Sequence, residues 1–479
     1  MRAPGGPAVN QRNLSRSLVL LATIPIALAL SSCSGPSEPP PNIVLVVLDT
    51  VRDDVAGNQV PGHPEASVAP ALQRLASEGT RFENAWSNAP WTVPSHASLF
   101  TGRLLSSHRC SGQHWHFAYE GRTMAERLSE AGYRTMAFFS NPWLTDRLTG
   151  VLRGFEEEYA DPVVVSRALE SPDQGGAETV RNIARWLDTQ RGDEPFLMFV
   201  NFLEAHLPYA PNPRYRRTYL EGTPPREFVS TTLADSVNCG LRDVGSVDWT
   251  HIREMYAGDV NTSDCLLGAL VEVLKAHGLY EDTVIIVTSD HGELIGEHGF
   301  FEHQFGVYEE LLAVPLVIRA PERLEPGLRE DPVMLTDLYA TVLELAGLEP
   351  DPAAEHSRTL LGAPAPADRP VIAEYSGPSP MLRNKLRAVA PELEAPFLTT
   401  AYLTVRVGGL RLTLGSDGTS ELQDLSDEPM PPEELARRRE ELTTTLGRLL
   451  PGCSNYGAGA DLRTDPGLEA RLRSLGYLS

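Results

Sequence analysis

Lysine is nearly absent from this chain. Of 41 basic residues only Lys275 and Lys385 are lysines, and the remainder are arginine. That scarcity narrows the catalytic roles an amine could fill. Positive charge is short overall, because 64 acidic residues leave a formal net charge of −23. A surface of that sign repels nucleic-acid phosphates, so no nucleic-acid partner is expected. An anionic substrate would have to be captured locally, by a metal ion or a few placed cations. Cysteine is sparse as well, with five in 479 residues, and their spacing follows no metal-binding pattern. Hydrophobic residues at 42 % still suffice for a packed core in a chain of this length, which excludes general disorder. No internal repeat is present.

The chain also lacks an apolar run long enough for a convincing membrane span. The N-terminal run over residues 18–30 is too short and is followed too closely by polar residues. It follows Arg12 and Arg16 and ends in Leu30-Ser31-Ser32-Cys33, which resembles a bacterial lipoprotein signal. The resemblance implies removal of residues 1–32, a lipid on the Cys33 sulfur, and an exported protein held to a membrane by that lipid alone. An ordinary secretory signal with an incidental Cys33 is the alternative. Residues 33–41 then form a Pro-rich tether. In an oxidising compartment Cys110, Cys239, Cys265 and Cys453 would allow two disulfides in three pairings.

The mature part reads as alternating strands and helices. Residues 43–48 are a continuous β-branched run without alternation, as a parallel strand buried on both faces requires. Residues 133–139, 196–200, 284–288 and 314–318 read as further strands, and 124–128 and 266–274 as helices. This order predicts an α/β fold with a large, mainly parallel sheet flanked by helices over residues 42–365. Ligands bind such sheets beyond the carboxyl ends of the strands, where Asp49, His206 and Asp290 all fall. The spacing therefore predicts that these three converge. A Pro/Ala-rich stretch at 362–367 marks a composition shift. Residues 366–479 are expected to form a smaller α+β unit, with a hairpin turning at Gly408-Gly409 and helices over 432–450 and 467–475.

Two segments carry chemistry. In Pro90-Trp91-Thr92-Val93-Pro94-Ser95-His96, Thr92 reads as a helix N-cap with proline in the first turn. A side chain there sits at the positive end of the helix dipole, where an anion is welcome. Alone, such a threonine is an ordinary cap. In Thr288-Ser289-Asp290-His291-Gly292-Glu293 an Asp-His pair follows a buried strand and offers one oxygen and one imidazole, a set suited to Mn²⁺ or Zn²⁺. Asp49 is the third candidate ligand.

Taken together these segments resemble the sulfatase family within the alkaline phosphatase superfamily. The resemblance runs from Asn42 through Leu48-Asp49-Thr50-Val51-Arg52, and through residues 70–82. It continues in Thr92-Val93-Pro94-Ser95-His96 to Thr101-Gly102, Glu204-Ala205-His206-Leu207-Pro208, Asp290-His291-Gly292-Glu293, His303, Tyr308-Glu309-Glu310, and 421–429. It implies an alkaline-phosphatase-like fold. Four departures qualify it. Thr92 stands where the family keeps a Cys or Ser that becomes formylglycine, and its β-methyl bars that oxidation, so no formylglycine is expected. His96 replaces the signature Arg, and Thr50 replaces the second Asp of the first metal pair. The family's active-site lysines have no evident counterpart.

What remains, Asp49, Thr92, Asp290 and His291, resembles the single-metal site of sulfatase-like phosphotransferases that use a Thr nucleophile. One divalent ion is implied, Mn²⁺ or Zn²⁺ in preference to Ca²⁺. The expected function is hydrolysis of sulfate or phosphate esters through a threonyl ester, with phosphoryl chemistry favoured by the threonine. His206, His303 and His96 are the candidates to contact substrate or move protons, whereas His108 is expected to be structural. The substrate is expected to be a small-molecule, glycan or lipid ester. Alternatives are an arylsulfatase-like enzyme acting on sulfated glycans and a catalytically silent ligand-binding lipoprotein.

Overall fold

Every side chain of the strand Asn42–Leu48 beyond its first residue is buried, and successive residues belong to different cores. Ile43, Leu45 and Val47 join one hydrophobic cluster, and Val44, Val46 and Leu48 join the other. That two-sided burial is why the run is continuous rather than alternating. The structure, a computed structural model, describes residues 40–146, 148–160, 174–189, 192–220, 229–426 and 430–450. The signal segment, Cys33, Cys453 and the helix expected over 467–475 lie outside these residues.

The main sheet contains β1 (Asn42–Leu48), β2 (Thr80–Phe82), β3 (Arg134–Phe139), β4 (Glu157–Ala160), β5 (Phe196–Phe202), β6 (Thr283–Thr288), β7 (Leu316–Arg319) and β8 (Gly327–Arg329). Their spatial order is β8-β2-β7-β6-β1-β5-β3-β4. Only β7, the last strand expected from the sequence, runs antiparallel to its neighbours. The rest are parallel, so the mainly parallel α/β fold expected from the alternation is observed, with β7 making the sheet mixed. β1 lies between β6 and β5, which brings the residues following all three strands to one edge.

Helices cover both faces. α1 (Pro70–Glu78), α4 (Gly176–Thr189) and α5 (Trp249–Ala276) pack on one, and α2 (Thr92–Thr101), α3 (Met124–Glu130) and α6 (Asp337–Leu345) on the other. The helical pattern at 266–274 is the last third of the long α5. α3 starts at a capping box: the Thr123 hydroxyl accepts from the Glu126 N–H while the Glu126 carboxylate accepts from the Thr123 N–H.

Beyond 362–367 a second sheet follows, antiparallel throughout: β9 (Val371–Tyr375), β10 (Tyr402–Val407), β11 (Leu410–Gly415) and β12 (Ser420–Asp424). The β10–β11 hairpin closes with Val407 opposite Leu410, and Gly408 takes a φ of +57°. Two helices complete this part, α7 (Pro380–Val389) and α8 (Pro432–Leu449). Val405 and Leu412 of this sheet and Leu446 of α8 belong to the same hydrophobic cluster as Trp91 and Phe100. A bidentate ion pair reinforces the junction, with Arg369 donating to both carboxylate oxygens of the buried Asp337 at 2.6 and 2.7 Å.

Cys110, Cys239 and Cys265 are free thiols, so no disulfide joins these three. No described helix is long and apolar enough to cross a membrane.

Candidate active site

Asp49 follows β1 directly, and Asp290 and His291 follow β6 on the neighbouring strand. One ligand atom from each lies within 4.8 Å of the others, and all three residues are buried. The hydrogen bonding leaves one oxygen of each carboxylate unused. Asp49 Oδ2 accepts from Asn141 Nδ2 (2.7 Å) and Asn201 Nδ2 (3.1 Å), while Oδ1 has no partner. Asp290 Oδ1 accepts from the backbone N–H of Thr50 (3.2 Å) and His291 (3.0 Å), while Oδ2 has none. His291 Nδ1 donates to the Gly292 carbonyl (2.9 Å), which turns the Nε2 lone pair toward Asp290 Oδ2, 3.4 Å away.

Burial raises Asp290 well above the usual carboxylate range, and the charge of Asp49 raises it further. Burial opposes ionisation of Asp49 too, but His206, His291 and the two amides outweigh it and hold this carboxyl below its ordinary value. Burial keeps His291 neutral. Two buried carboxylate oxygens without hydrogen-bond partners beside a neutral imidazole nitrogen would be costly as they stand. The same set suits a divalent cation of the Mn²⁺ or Zn²⁺ type, so the residues fit the metal that the sequence implies.

Thr92 opens α2. The structure makes Trp91 the cap, with extended backbone at φ −166° and ψ 164°, and Thr92 the first helical residue. This corrects the expected N-cap role, and its consequence is chemical: the Thr92 hydroxyl makes no capping bond and points at the metal set, 3.5 Å from His291 Nε2. Thr50, at φ +58°, donates its hydroxyl to the Asp49 carbonyl (2.7 Å).

The other four histidines named from sequence fall into two groups. His96 is fully buried on α2, donates from Nδ1 to the Thr92 carbonyl (2.8 Å), and packs edge-on against Phe199. Burial lowers its pKa. It braces the first turn under Thr92. His108 is structural, as expected: Nδ1 accepts from the Cys110 N–H (3.1 Å) and Nε2 donates to Ser98 Oγ (3.0 Å). His206 and His303 stand together, ring centroids 5.2 Å apart, and His303 lies 4.5 Å from His291. His206 Nδ1 donates to the Leu207 carbonyl (2.7 Å) and His303 Nδ1 to Glu293 Oε1 (2.9 Å), leaving both Nε2 atoms without these partners. Burial lowers His303 to about 3. For His206 burial acts the same way, but Glu293 and Asp49 overcome it and raise the group.

Sequence reasoning missed Asn141, Asn201 and the service of Glu293 to His303. A signal existed for Asn201. It is the one polar residue in the strand Phe196–Phe202, opposite Val47. Asn141, just past β3, carried no comparable mark.

Burial pushes the His108 pKa down to about 3, with Arg103 adding to the effect. The sign follows directly. Below pH 6.5 the unfolded chain gains a proton that the folded chain refuses, so this contribution is complete above 6.5 and is lost as pH falls toward 3. His108→Gln is expected to flatten the fall of unfolding free energy across that window by about one proton. Denaturant titrations at a series of pH values check this, and parallel slopes for the two proteins would refute it.

Gly292 is fixed by a close approach. A Cβ there would meet the Glu310 carbonyl oxygen at 2.0 Å and Arg52 Cγ at 2.9 Å. Gly292→Ala should therefore cost about 1–3 kcal/mol of stability and displace His291. Denaturation and metal titration of the variant measure both effects. Unchanged stability and metal affinity would count against that tightness.

The sulfatase family model matches residues 41–348. Among curated proteins, an N-acetylglucosamine-6-O-sulfatase of Bacteroides thetaiotaomicron is 23 % identical over 425 residues, covering 71 % of this chain and 74 % of its own. A choline-sulfatase of Rhizobium meliloti is 24 % identical over 360 residues, covering 64 % and 68 %. Among solved structures, the phosphonate monoester hydrolase of Agrobacterium radiobacter superposes with a TM-score of 0.64 at 20 % identity, covering 85 % of this chain and 95 % of its own. A second protein, solved with its substrate D-glucosamine-2-N,6-O-disulfate, gives a TM-score of 0.65 at 17 % identity over 89 % and 100 %. The fold and the extent of the family match agree, and the chain belongs to the sulfatase family of ester hydrolases.

Proposed function

We propose that this chain is an exported lipoprotein, anchored through Cys33, that hydrolyses phosphate or sulfate esters by way of a covalent ester on Thr92. The observation that carries the reading is the Thr92 hydroxyl, freed from capping and set 3.5 Å from His291 Nε2, beside two carboxylate oxygens without hydrogen-bond partners. A divalent cation held by Asp49, Asp290, His291 and Thr92 would lower the pKa of the hydroxyl and offset charge on the substrate.

The residues supply the rest. His96 fixes the first turn of α2, and the deprotonated Thr92 oxygen attacks phosphorus or sulfur. The bond to the leaving oxygen breaks, and that oxygen takes a proton from His206, the imidazole whose neighbours favour its charged form. His303, neutral and oriented by Glu293, contacts the remaining substrate oxygens. Water then attacks the threonyl ester, His206 takes its proton, and Thr92 is regenerated.

A threonine in place of the residue that yields formylglycine favours phosphoryl over sulfuryl substrates. The curated relatives carry sulfatase names, which supports a second reading as a sulfuric ester hydrolase on sulfated glycans. Comparing kcat/KM for a bis-aryl phosphate, an aryl phosphonate monoester and an aryl sulfate decides between them. The phosphorus esters are expected to be turned over faster, and exclusive turnover of the aryl sulfate would install the second reading. No turnover of any ester, with no bound metal, would leave a ligand-binding lipoprotein.

A further inference from the structure

Both chain neighbours of His303 are held in left-handed backbone. Glu302 takes a φ of +80° and Gln304 a φ of +72°, a region that residues with side chains rarely enter. Such strain persists only where the surrounding structure over-determines it, and it collects at functional sites. The segment begins at a tight fold-back, in which Leu294 pairs antiparallel with Glu302 and Ile295 with Phe301. The next opposed residues are Glu293 and His303, whose side chains meet.

Two side chains grip the backbone on either side of His303. Ahead of it, Asn238 takes both backbone groups of Phe301. Its Nδ2 donates to the Phe301 carbonyl (2.8 Å), and its Oδ1 accepts from the Phe301 N–H (2.9 Å). Behind it, the Tyr375 hydroxyl donates to the Gln304 carbonyl. Asn238 and Tyr375 are both buried, where water competes little for these bonds.

Both grips trace to the C-terminal unit. Tyr375 is the last residue of β9. Asn238 is the last residue of the helix Thr231–Asn238, which α7 fastens twice. Lys385 Nζ pairs with Asp235 Oδ1 at 2.8 Å, and the Cys239 thiol donates to the Leu386 carbonyl (3.6 Å). Leu382 and Leu386 of α7 share a hydrophobic cluster with Phe305, and Phe305 stacks on Phe300 with ring centroids 5.1 Å apart.

We propose that the C-terminal unit positions His303. Tyr375 and Asn238 hold the left-handed backbone on both sides of it, and that hold keeps the imidazole aimed at the substrate oxygens beside Thr92. Without either grip, Glu302 and Gln304 would relax toward ordinary φ values and carry the ring out of place. Tyr375 and Asn238 are positioning residues that act through His303, a role that rests on the reading of His303 as a substrate contact.

Tyr375→Phe removes the hydroxyl and keeps the packed ring, and thermal unfolding reports whether the variant folds. It is expected to lower kcat/KM for the fastest of the three aryl esters by about tenfold or more, since a misplacement of about 1 Å costs up to about 100-fold. In a His303→Ala background the same change should alter the rate by less than about twofold, because effects that pass through one residue do not add. An equal loss in both backgrounds, or no loss beside an intact His303, overturns the proposal. Amide hydrogen exchange over residues 300–306 reads the hold without turnover. It should quicken by about tenfold in Tyr375→Phe and in Asn238→Ala while residues 43–48 stay protected. Unchanged exchange in either folded variant also overturns the proposal. If the wild type turns over no ester while exchange still quickens, the hydrolase reading falls and the hold on His303 stands.

Discussion

Thr92→Ala is expected to lower kcat for every ester substrate by about 10⁴-fold or more, the scale seen when a covalent nucleophile is removed. The loss should fall on kcat, because the hydroxyl does its work after binding. Stability should barely move. Thr92 is the first helical residue and makes no capping bond, and alanine suits a helix better than threonine does. Thr92→Ser keeps the oxygen and should retain part of the rate. Rapid quenching of wild-type turnover, followed by mass spectrometry, should find a phosphoryl or sulfo adduct on Thr92. Turnover by Thr92→Ala at the wild-type rate would remove this residue from the chemistry.

The second large effect concerns the carboxylates. In the absence of a cation, Asp49 and Asp290 hold two buried oxygens without hydrogen-bond partners, so chelation should lower the melting temperature of the wild-type protein. Restoring Mn²⁺ or Zn²⁺ at about a thousand times its Kd should add roughly 4 kcal/mol. Asp290→Asn should cancel that response, since an amide neither neutralises nor binds the cation well. In chelator the variant should melt above the wild type, because burying an amide costs less than burying a carboxylate beside another. Scanning calorimetry of both proteins, with and without chelator, reads all four states. An equal metal-induced shift in the two would refute the assignment of Asp290 as a ligand.

Much of the scaffold was legible because the physics is local. A continuous β-branched run such as 43–48 admits little besides a strand buried on both faces, and the turn at Gly408-Gly409 announces a hairpin. Asp49, Asp290 and His291 were legible for a related reason. They sit at the ends of strands whose order forces those ends together. What escaped was information that belongs to no single segment. Thr92 reads as a cap until the extended backbone of Trp91 shows that the helix begins one residue earlier than an N-cap threonine requires. Asn141 serves Asp49 across strands β3, β5 and β1, a relation no local pattern encodes. The pairing of Glu293 with His303 likewise depends on a fold-back of the chain between them. The cysteine count allowed disulfides on compartment alone, whereas Cys110 and Cys239 are free thiols buried by ordinary packing.

Asn201 carries a consequence of another kind. It occupies an interior strand position, fully buried, where valine or isoleucine would bury more carbon and free an amide from desolvation. Its return is one hydrogen bond to Asp49 at 3.1 Å. A selection or redesign that rewarded thermal robustness alone would rewrite this position as an aliphatic residue. The resulting protein would be tougher, and the Asp49 carboxylate would be held by Asn141 alone. Persistence of an amide there is thus a sensitive mark of selection for activity, readable in any descendant of this chain whether or not its substrate is known.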